Sequence, residues 1–211
     1  MGLLIVLILL VILFPLAFFK IITMSFGKIG LSLEATAVLL VVTLICGLIN
    51  IPLSRQGIIY RRQRHIYSDF FFYFPPKVTR QVIMVNVGGA VIPMAFSIYL
   101  LTLAPLLPAL IATVIVILLN KYFATLDYGL GITAPIWISV IFSAGLALIL
   151  ARDNPGPVAY ISGTMGTLIG ADLLNWPNYK ILGAQIISIG GFGVYDAIFM
   201  SGIVAVLITS L

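Results

Sequence analysis

The chain opens with GLLIVLILLVILFPLAFF, residues 2 to 19, a run without a single charged side chain. About 20 helical residues cross the roughly 30 Å of bilayer hydrocarbon, and a backbone in that medium has to satisfy its own N–H and C=O groups. Six further apolar stretches follow, at about 35–53, 81–102, 106–120, 134–151, 158–175 and 190–211. All are found by continuous apolarity and not by an amphipathic stripe. The fold class this implies is all-α, a polytopic transmembrane bundle of about seven helices, with residues 1–211 forming a single integral membrane domain. Composition agrees, since 62% apolar residues, 8% charged residues and a mean hydropathy of +1.24 lie outside the range of soluble domains of this length.

The first stretch has no basic leader and no small-residue cleavage site, which reads as a retained anchor. Gly2 follows Met1, but Val6 stands where a myristoylation signal has Ser or Thr. Cys46 is alone, so there is no disulfide framework. The first half is not repeated in the second, which counts against an inverted-repeat transporter.

Orientation follows from the basic residues. Segment 54–80 holds Arg55, Arg61, Arg62, Arg64, Lys77 and Arg80 against Asp69 alone, which makes it a basic, aromatic, cytoplasmic loop. The N-terminus is then cytoplasmic, the sixth span runs inward and the seventh outward, in what reads as a prokaryotic plasma membrane. FFFYF at 70–74 beside those cations suits a loop lying on anionic lipid, with docking of a protein partner as the alternative. The net charge of +5 is thereby assigned to lipid headgroups and the bilayer is the expected partner, not nucleic acid. His65 among the arginines reads as headgroup-facing. No Cys, His or Glu spacing suggests a metal, and no cofactor is expected.

Of the six acids, Glu34, Asp69, Asp127 and Asp153 fall at span ends or in loops, where water solvates them. Asp172, in GTLIGADLLNW, and Asp196, in GGFGVYDAIF, lie inside the last two spans near their cytoplasmic ends. An antiparallel pair of spans puts both carboxyl groups at similar depth. An isolated Asp at the centre of a spanning helix costs about 2.5–3.5 kcal/mol on insertion scales, so each implies a partner, water or a role. Two carboxyls about 3 Å apart share one proton, as acid and base catalysis by aspartates requires.

Gly193, Val194, Tyr195 and Asp196, followed by Ala197 to Ser201, resemble the GxGD segment of the intramembrane aspartyl proteases, the presenilin, signal-peptide-peptidase and prepilin-peptidase superfamily. The resemblance covers about the last quarter of the chain. It implies a hydrolase that cleaves membrane-embedded peptides, with Asp196 and Asp172 as the catalytic pair and Gly193 and Tyr195 beside the substrate helix. Tyr195 stands where the motif has its second glycine, and the chain's PAL, Pro108 to Leu110, precedes the aspartates instead of following them. As a whole the chain also resembles uncharacterised archaeal and bacterial polytopic membrane proteins.

Other readings of the same residues are a proton- or cation-coupled transporter titrating the two aspartates, with a breakable third span at Asn86, Gly88, Gly89 and Pro93, and a non-catalytic assembly subunit. Gly166 and Gly170, and separately Gly193, Ala197 and Ser201, form rows of small residues suited to close helix crossings. Asn86 is expected to face protein or water, because an unsatisfied amide in hydrocarbon costs several kcal/mol.

Overall fold

The computed structural model describes residues 2–61, 77–127, 131–180, 186–191 and 197–210. Helices dominate these: α1 (Gly2–Gly27), α2 (Leu33–Cys46), α3 (Ile92–Leu100), α4 (Leu106–Phe123), α5 (Ile136–Leu150), α6 (Pro155–Thr167) and α7 (Ala197–Thr209). Proline marks several starts. Pro105 and Pro135 directly precede α4 and α5, and Pro155 opens α6, where a missing N–H costs nothing because the first turn has no acceptor for it. α2 starts with a cap, the Ser32 hydroxyl accepting the Ala35 N–H at 3.1 Å.

α6 is the hub of the molecule, packed against α3, α4, α5 and α7 and buried over nearly its whole length. Its small residues allow the approach. A methyl on Gly166 would stand 2.5 Å from Cγ1 of Val116 on α4, and one on Gly163 would stand 3.1 Å from the Ser201 carbonyl on α7. The expected row of Gly166 and Gly170 is therefore a close crossing, Gly170 lying against the Ile117 carbonyl; of the expected row of Gly193, Ala197 and Ser201, Ser201 meets Gly163 of α6, and Gly193 lies outside the described residues. Between α1, α3 and α6 the rings of Phe26, Phe96 and Tyr160 meet at centroid distances of 4.9–6.1 Å and close the main core.

The fold is mostly helical, but it also contains a sheet that apolar counting did not anticipate. β1 (Asn50–Arg61) and β2 (Lys77–Asn86) pair antiparallel; β3 (Thr125–Asp127) and β4 (Gly131–Thr133) form a small ribbon; β5 (Ile186–Ile189) pairs parallel to β2, giving the order β1-β2-β5. The second apolar stretch thus leaves helix at Cys46 instead of 53, and the third starts as strand and becomes helical only at Val87. The physical reason lies in KVTRQVIMVN, rich in β-branched residues, where continuous apolarity does not separate strand from helix. Pro52 is accommodated at a register shift of β1.

What reads as a 54–80 loop therefore has paired strands at both its ends; His65, Asp69 and 70–74 lie outside the described residues. Nor is the sixth stretch, 158–175, regular helix throughout. Regular helix ends at Thr167, a π-helical turn spans Leu168–Asp172, and a 3-10 segment continues through Leu173–Lys180.

Among the described residues, α4 is the one helix both long and apolar enough to cross a membrane; α2, α5, α7 and the stretch Val87–Leu100 are shorter apolar helices. Around the apolar core, many large apolar side chains face outward while several polar ones are buried. Met24, Leu107, Leu118 and Ile149 are 62–68% exposed, while Asn86, Asn120, Ser139, Ser143, Ser162, Thr167 and Ser201 are buried.

Candidate functional site

Asp172 ends the π-helical turn that prolongs α6, a wider turn of a kind that recurs at functional sites. Gly170, pressed against the Ile117 carbonyl of α4, holds the turn from one side. From α4 the Lys121 ammonium donates to the Leu174 carbonyl at 2.8 Å and to Asn175 Oδ1 at 2.5 Å, while the Asn175 amide donates to the Ala171 carbonyl at 2.8 Å. The residues on both sides of Asp172 are thus bonded in place.

Asp172 itself is half-buried, and both of its ends are engaged. Its carboxylate Oδ2 accepts the Gly190 N–H at 3.1 Å, and its carbonyl accepts the Tyr179 hydroxyl at 3.0 Å. Tyr179 is buried, and its own carbonyl accepts the amide of buried Gln81 on β2 at 2.6 Å. Burial, and after it the negative charge of Asp172, pushes the Tyr179 phenol above its ordinary value, so it stays a donor across the physiological range. Ile83, Leu168, Ile187, Ile189 and Ile198 surround the tyrosine with apolar side chains from β2, the π-helical turn, β5 and α7.

Gly190 is held on the opposite side by glycine chemistry. Its φ is +82°, and a methyl there would lie 2.7 Å from the Ala90 nitrogen, while a methyl on Gly89 would collide with the Gly190 carbonyl. Asn86, fully buried, orders this corner: its amide donates to the Gly47 carbonyl at 2.6 Å and to Asn50 Oδ1 at 3.2 Å, and its Oδ1 accepts the Gly89 N–H at 2.6 Å. The Ser188 hydroxyl lies 2.8 Å from Asn50 Oδ1 and from the Gly191 carbonyl. Asn86 therefore faces protein, as its sequence context requires. The backbone breaks near it, though as a strand passing into a π-helical turn at Val87–Val91, with Pro93 in the first turn of the α3 that follows.

A second polar cluster crosses the bundle beside the first. Thr167 Oγ1 stands 2.8 Å from Ser139 Oγ, which donates to Asn120 Oδ1 at 2.8 Å, and Ser201 Oγ is 3.3 Å from Thr167 Oγ1. It joins α4, α5, α6 and α7. Of the remaining acids, Glu34 and Asp153 are exposed, as residues placed for solvation should be. Gly193, Tyr195 and Asp196 lie outside the described residues, which resume at Ala197, the first residue of α7. Among the described residues no three His, Cys, Asp or Glu side chains are grouped to hold a metal ion.

Residues 44–208 match the model of a family described as a protein of unknown function, DUF1614. The chain belongs to the DUF1614 family. The matched region takes in the sheet, α3 to α6, both aspartates and most of α7, whereas α1 precedes it. No curated protein and no solved structure matches the chain. In this DUF1614 member, sequence reading singled out Asp172 and Asn86 but missed Gln81, Tyr179, Asn50, Ser188 and Lys121. Gln81 carried a usable signal, as a second amide five residues from Asn86 in an apolar run. Tyr179 carried none, because its role depends on the 3-10 segment turning it back onto Asp172.

Proposed function

We propose that this DUF1614 protein is a polytopic integral membrane protein of about seven spans, and that Asp172 and Asp196 form an aspartyl dyad that hydrolyses membrane-embedded peptides. The membrane reading is supported by the large apolar side chains exposed on α1, α2, α4 and α5, while Asn120, Ser139, Ser143, Ser162, Thr167 and Ser201 are buried within the core. The basic segment 54–80 then faces the cytoplasm together with the N-terminus, in a prokaryotic plasma membrane.

One observation carries the dyad: the Asp172 carboxylate is bonded to Gly190, six residues before Asp196, at the end where α6 and α7 pack together. α6 and α7 are antiparallel, with Gly163 beside Ser201 and Tyr160 beside Gly202. Asp196 immediately precedes α7 in the sequence, and the dyad reading has it meet Asp172 there. One aspartate acts as base on a water, and the other as acid protonates the departing amide. The substrate is a transmembrane helix locally unwound beside Gly193 and Tyr195, since a helical backbone hides its carbonyls.

The test is incubation of purified wild type, Asp172→Asn, Asp196→Asn and the double variant with a panel of single-span peptides, read by mass spectrometry. A dyad sharing one proton loses its chemistry when either member becomes an amide, so all three variants should be equally inactive and still folded. Cleavage surviving in either single variant removes the dyad. A second reading, proton- or cation-coupled transport, is favoured by the two π-helical turns, Val87–Val91 and Leu168–Asp172, that flank the Gly190 corner as broken helices flank transport sites. It is distinguished by aspartate-dependent flux in proteoliposomes without peptide cleavage.

A further inference from the structure

Strand β2 reaches Asp172 by two routes. Gln81 donates to the Tyr179 carbonyl, and the Tyr179 hydroxyl donates to the Asp172 carbonyl. In parallel, β2 pairs with β5 from Val82↔Ile186 to Val85↔Ile189, and Gly190, the next residue, donates to the Asp172 carboxylate. Both the backbone and the charge of Asp172 are therefore hung from one strand.

The other end of that strand is cationic. β1 and β2 carry Arg55, Arg61, Lys77 and Arg80 with no acid on either, and Arg61 stands opposite Lys77 in the register. Like charges directly opposite are unfavourable across a strand pair, and an anionic partner relieves them. The strands leave an apolar zone in which Leu48, Ile51 and Leu53 are 49–83% exposed. A step in the sequence from apolar residues to four cations without an acid on either strand fits the boundary between acyl chains and anionic headgroups.

We propose that the β1–β2 strand pair binds the anionic lipid surface and that this binding orders Asp172 through Gln81, Tyr179 and Gly190. Anchoring the cationic strands restrains β2, and the restraint passes to the Asp172 turn along the two bonded routes as lost conformational freedom instead of a changed shape. The functional meaning of this control rests on the reading of Asp172 as a working carboxylate; the coupling itself does not.

The experiment is hydrogen exchange by mass spectrometry on the full chain in nanodiscs of phosphatidylcholine alone and of phosphatidylcholine containing phosphatidylglycerol, at low and high salt. With phosphatidylglycerol at low salt, exchange in peptides covering 77–86 and 168–191 should slow together, by at least about 5-fold, the lower end of ordinary coupling between sites. High salt should cancel both effects. In Tyr179→Phe, which keeps the ring and loses the bond to Asp172, and in Gln81→Met, the strand should remain lipid-sensitive while the response at 168–173 shrinks to the part carried by Gly190. If one variant is globally unprotected, the other decides. Lipid-independent exchange of the strand, a lipid-sensitive strand with an indifferent 168–191, or an unaltered response in the folded variants would each overturn the proposal. The readout needs no substrate: coupling without peptide cleavage would sink the hydrolase and leave the lipid control standing.

Discussion

The Asp172 carboxylate and the Gly190 N–H meet at 3.1 Å across 18 positions of sequence, so the turn that ends the central helix is bonded to the segment leading toward Asp196. The bond needs a left-handed residue at 190, and it places the sole donor of that residue on the acid. Much of the site's behaviour follows from this contact.

Gly190→Ala should therefore be costly. A side chain at φ +82° loses about 1–2 kcal/mol, and its methyl would also press on the Ala90 nitrogen at 2.7 Å. Gly145→Ala in α5 is the control: a methyl there meets nothing within 4 Å, and alanine is favoured over glycine in a helix by up to about 1 kcal/mol. Thermal unfolding in one detergent should lower the midpoint of the first variant and leave or raise that of the second. Equal midpoints would mean that Gly190 is not held as described.

The hydroxyl chain across α4, α5, α6 and α7 should behave as one unit. Thr167→Val and Ser139→Ala remove neighbouring links, each worth about 0.6 kcal/mol and at most about 1.7 by the measure of polar contacts in membrane bundles. Residues sharing a network are not independent, so the double variant should lose less than the sum of the two. Strict additivity in unfolding free energy would show that the contacts do not cooperate.

Helix-rich architecture, the small-residue crossings of α6 and the inward-facing Asn86 were legible because each rests on a local rule: apolar run length, glycine spacing, the cost of an unsatisfied amide. The sheet was not, because Val82 to Val85 read equally as a membrane helix and as a buried strand until β5, about a hundred residues later, supplies a partner. Asp172 was legible as a carboxyl group in an apolar setting. Its partners were not, since Gly190, Tyr179 and Gln81 are joined to it by long-range bonds that no spacing encodes.

Alkaline pH should weaken the fold partly through Tyr179. Burial, then the Asp172 charge, raises its phenol above the ordinary value of about 10, so its contribution is complete below that pH. It is lost as the pH climbs beyond about 10, where the unfolded chain releases a proton that the folded chain retains. The unfolding midpoint should hold between pH 7 and 9 and fall above about 10, and Tyr179→Phe should fall less steeply. A parallel decline in both proteins would assign the alkaline loss to other groups.

Topology is tested by single cysteines placed in a Cys46→Ser background. An impermeant maleimide added outside intact cells should miss a cysteine at Arg62, in the basic segment, and label one at Asp153, in the exposed turn before α6. The reverse pattern would invert the protein, and labelling at both positions would break the span count.

The most direct measurement on the proposed dyad asks whether residues 172 and 196 touch. In the Cys46→Ser background, the paired substitution Asp172→Cys and Asp196→Cys is oxidised with copper phenanthroline in membranes, alongside each single substitution and Asp172→Cys paired with Asp153→Cys. Carboxyls close enough to share a proton bring the two Cα atoms toward the separation of about 4.4–6.8 Å that a disulfide spans. The expected result is rapid intramolecular cross-linking of the 172–196 pair, seen as one disulfide-linked peptide by mass spectrometry, with none in the controls. A folded 172–196 double variant that stays fully reduced would place the aspartates apart and contradict the dyad, whatever the protein cleaves.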